Sequence, residues 1–295
     1  MKTLIEVLQA ATDYLAAKGV ENPRLVMEQW MSHVLKCPRL QLYLRFETPL
    51  PETQLEPLRR GVRRLAAGEP LQYVMGDTEF MGRRFATDRR ALIPRPDTER
   101  LVEVVLAEES LWARPVPVIA DVGTGSGCVI ITLALARPGA RYLAVDASDD
   151  ALALARQNAE ALGAAPALEF RHGDLLEAMT PRSLDAVVAN LPYIPSGACA
   201  ALPRHIRDHE PPGALDGGPD GLTLIRRLIA QAAAALAPGG TLFLEIGFDQ
   251  APAVVECLKQ HEFDGVRVHP DLGGRDRVVR AVTQPGRRDD RSEER

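Results

Sequence analysis

The chain has 295 residues, 46% hydrophobic and 25% charged, with a formal net charge of −5. This is the composition of a soluble globular protein with room for more than one domain, and the negative balance argues against binding nucleic acid through bulk positive charge. Cys37, Cys128, Cys199 and Cys257 are scattered with no CxxC pair, which argues against a zinc site or a disulfide framework. No apolar run is long enough to cross a bilayer, and Glu6, Gln9 and Asp13 interrupt the N-terminal stretch, so a cytoplasmic protein with no membrane association is expected.

Residues 1–72 read as a helical domain. Leu4, Val7, Leu8, Ala11 and Leu15 recur on one face. Asn22 is placed to cap a second helix, with Pro23 at its first position. Met27, Trp30, Met31, Val34 and Leu35 line that helix until Cys37-Pro38 stops it. Leu55, Leu58, Val62 and Leu65 line another. Residues 73–93 carry aromatic and β-branched residues between Gly76 and Gly82, which predicts a connector built on a short hairpin. Its arginines, Arg83, Arg84, Arg89 and Arg90, fit either a solvated face or a docking surface.

From residue 94 to 284 strand and helix patterns alternate. Strands are predicted at 116–122, 141–146, 167–170, 183–190 and 240–246, and helices at 148–163 and 221–240. Ser148 is set to cap the first of these helices and Gly163 to end it. Segments 265–272 and 276–282 suggest a final strand pair. Such alternation predicts an α/β fold with a parallel sheet covered on both faces, of the Rossmann-like kind. The tail 285–295 has no apolar residue and is expected to be disordered.

The turn "DVGTGSGC" (121–128) follows a strand and opens a helix. Gly123, Gly125 and Gly127 let the backbone turn tightly against a ligand, with Thr124 and Ser126 between them. A dinucleotide fingerprint needs a glycine where Cys128 stands. Asp121 would repel a pyrophosphate and favour a sulfonium or an amino group. Asp146 ends the next strand, where a carboxylate can accept both hydroxyls of a ribose. Asp174 ends a third and can take the exocyclic amine of adenine, with Leu175 against the ring. This set fits S-adenosyl-L-methionine better than NAD.

Residues 190–193, "NLPY", close the strand 183–190. A planar nitrogen is a poor nucleophile because its lone pair is delocalised. The Asn190 side-chain oxygen and the Leu191 carbonyl can accept its two N–H groups, orient the lone pair and stabilise the developing charge. Pro192 stiffens the turn, and Tyr193 offers a flat face to a planar amide or base. Neither a metal nor a covalent intermediate is required. Asn190 also borders the expected cofactor site.

"NLPY" is similar to the Asn-Pro-Pro-Tyr signature of methyltransferases acting on planar nitrogens. With "LIPRPDTERLVE" (92–103), "GEPLQYVMG", "DVGTGSG", "HEPPGALDGGPDGLTLIRRLI", "LAPGGTLFLEIG" and "DLGGRDRVV", nearly the whole chain resembles the release-factor glutamine N5-methyltransferases, the HemK/PrmC family. The resemblance implies a seven-stranded methyltransferase domain behind a helical domain that recognises the substrate protein. It also implies methylation of the glutamine in the Gly-Gly-Gln loop of peptide chain release factors, without stable nucleic-acid binding. Methylation of another protein's glutamine, as on a ribosomal protein, methylation of adenine N6, and cofactor binding without turnover stay open as alternatives. Leu191 replaces the family's first proline, so its φ is not locked by a ring. Retained chemistry with a less rigid clamp is expected.

Some residues carry no firm role at this level. His205 and His209 are four apart, but prolines on both sides argue against a helical metal site. Asp97 or Thr98 is expected to cap the helix that follows "PRP", Arg95 to lie near the partner, and Glu245 to be a buried carboxylate of no assigned role.

Overall fold

The computed structural model describes residues 2–177 and 179–284; the tail expected at 285–295 lies outside them. Contacts divide the chain into two compact units. The first runs to Thr78 and adds Thr87–Arg89 and Leu202–Glu210; the second holds Glu79–Ala86, Arg90–Ala201 and the chain from Pro211.

The first unit is built on helices Leu4–Ala17, Pro23–Leu35 and Glu52–Ala66. The first starts with a capping box, in which the Thr3 backbone N–H donates to Glu6 and the Glu6 N–H to the Thr3 hydroxyl. Asn22 does precede the second helix, but in the left-handed region (φ 48°) and without a side-chain cap bond. Pro23 fixes that start instead. Leu4, Leu8, Met27, Met31 and Leu58 form the core. Trp30 packs on the helix Glu52–Ala66: a Cβ on Gly61 would fall 2.2 Å from its ring, and its Nε1 donates to the Leu58 carbonyl. The sequence reading assigns residues 202–210 to the 94–284 domain, whereas contacts group them with this unit. Arg204 packs against the backbone of Gly68, and His209 meets Arg89 at 3.3 Å.

In the second unit β1 (Asp77–Phe80, begun in the first) and β2 (Arg83–Ala86) pair as a hairpin. Phe80 and Phe85 meet edge to face and are buried. The main sheet holds β3 (Val118–Val122), β4 (Arg141–Asp146), β5 (Leu168–His172), β6 (Leu184–Ala189), β7 (Leu236–Glu245), β8 (Phe263–Pro270) and β9 (Asp276–Thr283). Its order is β5-β4-β3-β6-β7-β9-β8. The first five are parallel, and β9 runs antiparallel between β7 and β8. Ala120 and Val122 point into one apolar cluster and Ile119 into the other, so the sheet is covered on both faces. Helices Thr223–Ala235 and Ala251–Gln260 cover the first face, Pro96–Leu106 and Cys128–Ala136 the second.

One boundary moves. The helix expected at 221–240 stops at Ala235, and β7 begins at Leu236 rather than 240. Leu236 pairs with Leu184 across a register irregularity, and Gly239 (φ 70°) turns the backbone there. Strand order reverses between β4 and β6 around β3, so the carboxyl ends of β3 and β6 frame the crevice where such sheets bind ligands.

Candidate active site

A cavity of about 430 Å³ opens at these carboxyl ends. Its volume is that of a small-molecule site.

The turn after β3 forms its floor. Asp121, Gly123, Thr124, Gly125 and Ser126 all line it. Gly123 (φ 73°) and Gly125 (φ 55°) hold conformations that a side chain would strain. Their neighbour Gly127 is not in the wall, which departs from the sequence expectation. A Cβ there would lie 2.8 Å from Ile131 and 3.1 Å from Ala155, so its bareness serves helix packing. Asp121 is buried and accepts from the Thr124 hydroxyl at 2.7 Å. Burial pushes its carboxyl up to about 7, and the nearby Asp146 pushes it the same way. A carboxyl in that position is ionised most readily when a cation shares the cavity.

Asp146, at the end of β4, lines the cavity and is fixed by two backbone N–H groups, Gly125 to Oδ2 and Ser148 to Oδ1, both at 2.9 Å. Each oxygen keeps a lone pair for a ligand hydroxyl. Asp174 and Leu175 follow β5 and also line the wall. Asp174 pairs with Arg227 at 2.7 Å, leaving Oδ1 for another donor. Leu175 is held at φ 54°, an uncommon conformation for a non-glycine residue. A buried acid at the glycine turn and two further carboxylates at the ends of the next two strands, all lining one cavity, fit S-adenosylmethionine.

The NLPY turn closes the other side. Asn190, Leu191 and Pro192 line the cavity. The Asn190 Nδ2 donates to Thr98 Oγ1 at 3.0 Å, which leaves its Oδ1 as the free end. Neither Asp97 nor Thr98 is the helix cap expected there: the helix starts at Pro96, Arg95 holds the N-cap position, and no side chain caps it. Leu191 is buried in the core, and its side chain packs over Gly123, where a Cβ would come within 3.0 Å. Tyr193 departs from expectation too. Its ring packs against the core instead of lining the cavity, and burial, reinforced by nearby Glu245, pushes its hydroxyl up to about 12. Its carbonyl accepts from Gln250 Nε2 at 3.0 Å.

Downstream the turn is pinned by backbone. Ile194 N–H donates to the Leu215 carbonyl, and Gly217 N–H to the Ile194 carbonyl. Cβ atoms at Gly217 and Gly221 would fall 2.6 Å from the Pro192 oxygen and 2.2 Å from the Tyr193 oxygen. The segment 90–95 supplies a wall that the sequence reading did not assign to the cofactor. Thr98, Gln250 and Glu245 act on the turn from outside "NLPY"; short-range spacing carries no signal for them.

Burial also pushes the Glu245 carboxyl up to about 7. Both Asp121 and Glu245 thus keep a proton in the native state up to about 7, against 3.8 and 4.5 when unperturbed. Between those limits the native state binds more protons than the unfolded chain, so stability falls as pH rises through the window and levels off above it. Each group contributes on the order of a few kcal/mol. We expect a lower Tm at pH 8 than at pH 6, with Asp121→Asn reducing the slope. Parallel melting curves for variant and parent across that range would remove Asp121 from this account.

Sheet, glycine turn and carboxylates define a methyltransferase that uses S-adenosylmethionine. The chain matches the PrmC N-terminal domain over residues 6–76 and the methyltransferase small domain over 101–202. A methyltransferase structure from Pyrococcus furiosus superposes with a TM-score of 0.51 at 15% identity, covering 70% of this chain and 91% of that one. The release factor glutamine methyltransferase of Moorella thermoacetica is 44% identical over 95% of this chain and 98% of its own length. That of Geobacter sulfurreducens is 41% identical over 94% and 95%. The chain belongs to the release factor glutamine methyltransferase family. Among the described residues no helix is long and apolar enough to cross a membrane, and no cluster of His, Cys, Asp and Glu could hold a metal ion.

Proposed function

We propose that this enzyme methylates the side-chain amide nitrogen of the Gly-Gly-Gln glutamine in peptide chain release factors, in the cytoplasm. The observation that carries the reading is the Asn190 amide, which gives its Nδ2 to Thr98 and keeps Oδ1 free at the cavity. S-adenosylmethionine, when bound, supplies a methyl group activated on a sulfonium. Asp121, Asp146, Asp174 and the turn 123–126 would hold it, with Leu175 against its base.

Asn190 Oδ1 then accepts one N–H of the substrate amide and the Leu191 carbonyl the other. Two fixed acceptors turn the nitrogen lone pair toward the methyl group and stabilise the positive charge that grows on nitrogen. The proton leaves after methylation, when it is far more acidic. Pro192 and the pinned 215–221 loop keep the two acceptors in place.

The test mixes the protein with labelled S-adenosylmethionine and a bacterial release factor, in parallel with a factor carrying Ala for the Gly-Gly-Gln glutamine. Label should enter only the intact factor. Equal labelling of both would move the site elsewhere. Labelling of neither, with the cofactor still bound, would overturn the substrate assignment.

A further inference from the structure

Glu245 ends β7, the strand between β6 and β9, and is 1% exposed. A carboxyl there carries a large desolvation cost, so its neighbours matter. The nearby buried Arg277 pairs with Asp271 at 3.3 Å and Asp97 at 3.5 Å and donates to the Ile246 carbonyl; among the described residues no ion pair joins it to Glu245, although its charge favours the ionised carboxyl and its Nε has no hydrogen-bond partner. The Thr98 hydroxyl, the Arg277 charge and the Tyr193 hydroxyl favour the charged form of the Glu245 carboxyl against burial, and the Asp97 charge opposes it; of these, the two hydroxyls belong to groups that touch or follow Asn190. Its Oε2 has no hydrogen-bond partner among the described residues. Glu245 does not line the cavity, so it does not touch a ligand there.

The Thr98 hydroxyl has one proton to give. If that proton points at Glu245, Thr98 can only accept from Asn190, and the amide must turn its NH2 end to Thr98 and its oxygen to the cavity. That is the orientation found. If Thr98 were free to donate to Asn190, the amide could turn over. It would then present a donor where the substrate nitrogen needs an acceptor.

We propose that Glu245 is a positioning residue: acting through the Thr98 hydroxyl, it sets the polarity of the Asn190 amide, and it holds the Tyr193 end of the same turn through the Tyr193 hydroxyl. This rests on the glutamine methyltransferase reading for its functional consequence, but the orientation of the amide is a property of the resting protein. An ionised or a protonated carboxyl can each accept from Thr98, as can a glutamine. An apolar side chain of similar length cannot.

Two readouts test this on the full chain. The first is kcat and KM for release-factor methylation, with S-adenosylmethionine affinity measured separately by calorimetry. The second is the Asn190 side-chain NH2 resonance in 15N-asparagine-labelled protein, assigned by its loss in Asn190→Asp. Glu245→Met and Thr98→Val should each lower kcat about 100-fold, the scale of a misplaced reacting group, with cofactor affinity changed less than threefold. Both should shift the Asn190 resonances and speed their exchange with solvent. Glu245→Gln and Thr98→Ser should recover most of both losses, and Glu245→Met should cost less on top of Thr98→Val than it does alone, the remainder being the part held through Tyr193.

Unchanged Asn190 resonances in Thr98→Val and Glu245→Met would overturn the proposal, whatever the kinetics. Glu245→Gln as impaired as Glu245→Met would also overturn it, because the charge and not the acceptor would then matter. If Glu245→Met does not fold, Thr98→Val against Thr98→Ser still decides the relay, and Glu245→Gln decides the role of the carboxyl. If the parent protein labels no release factor, the substrate assignment fails by itself, and the resonances still judge the positioning role.

Discussion

Asn190→Ala should lower single-turnover methylation of a release factor by about 100- to 1000-fold, the range seen when one fixed partner of a developing charge is removed. The substitution deletes one of two acceptors proposed for the substrate amide. It also removes the donor that now satisfies Thr98 Oγ1 at 3.0 Å. Asn190 lines the same cavity as the glycine turn, so some loss of cofactor affinity is expected, but less than tenfold, since Asp121, Asp146 and the turn remain. Asn190→Asp separates the two roles. It keeps an acceptor toward the substrate, yet it takes the Thr98 proton away from Glu245 and adds a charge beside the growing cation. It should therefore lie between alanine and the parent. Asn190→Ala retaining more than about a fifth of the parent rate would remove Asn190 from the clamp.

Much of this was legible because parallel strands buried on both faces read as short apolar runs. β3 and β6 are of this kind, and each ends in a residue that a ligand can use, Asp121 next to the end of one and Asn190 just past the other. The glycine turn was legible for a similar reason, since φ values of 73°, 55° and 79° at 123, 125 and 127 are what glycine tolerates. Gly127 shows the limit of that logic. The sequence reveals that a backbone position needs glycine, not whether a ligand or a neighbouring helix occupies the space in front of it. Tyr193 shows another limit. An aromatic ring next to a site reads as a stacking face, but its direction is set by Gln250 holding its carbonyl and by the core behind it.

The partners that hold the clamp were not legible at all. Thr98 and Asn190 are 92 residues apart, Tyr193 and Gln250 57 apart. Nothing in local periodicity links such pairs; they meet because β6 and β7 are neighbours and the helix Pro96–Leu106 packs on the same sheet. The long segment between Pro192 and Leu222 hid two jobs in one stretch. Leu202–Glu210 groups with the first unit, while Leu215–Gly221 returns to pin the turn.

That pinning bears directly on Leu191, where the Asn-Pro-Pro-Tyr signature that the turn resembles has a proline. If a ring at 191 were what stiffens the clamp, its absence should leave the turn loose and insensitive to its surroundings. The structure points to the opposite arrangement: the Leu191 side chain is buried over Gly123, and the backbone beyond it is held by the 215–221 loop and by Gln250. Gly221→Ala should therefore be severe. Gly221 is at φ 76°, and a Cβ would fall 2.2 Å from the Tyr193 oxygen and 2.8 Å from Gln250 Nε2, the pair that forms one of the pins. Neither a carbonyl nor a fixed amide can yield that distance without moving the turn. We expect a loss of about 2 kcal/mol of stability from the strained conformation and the clash, and a fall of about 100-fold in turnover as the two acceptors lose register. Gly197→Ala, in the same long segment with open space around it, is the control for stability. Leu191→Pro keeps the carbonyl that the chemistry uses, so it should cost less turnover than Gly221→Ala although it empties part of the core. The reverse order would mean that residue 191 itself, and not the loop facing it, sets the geometry of the clamp.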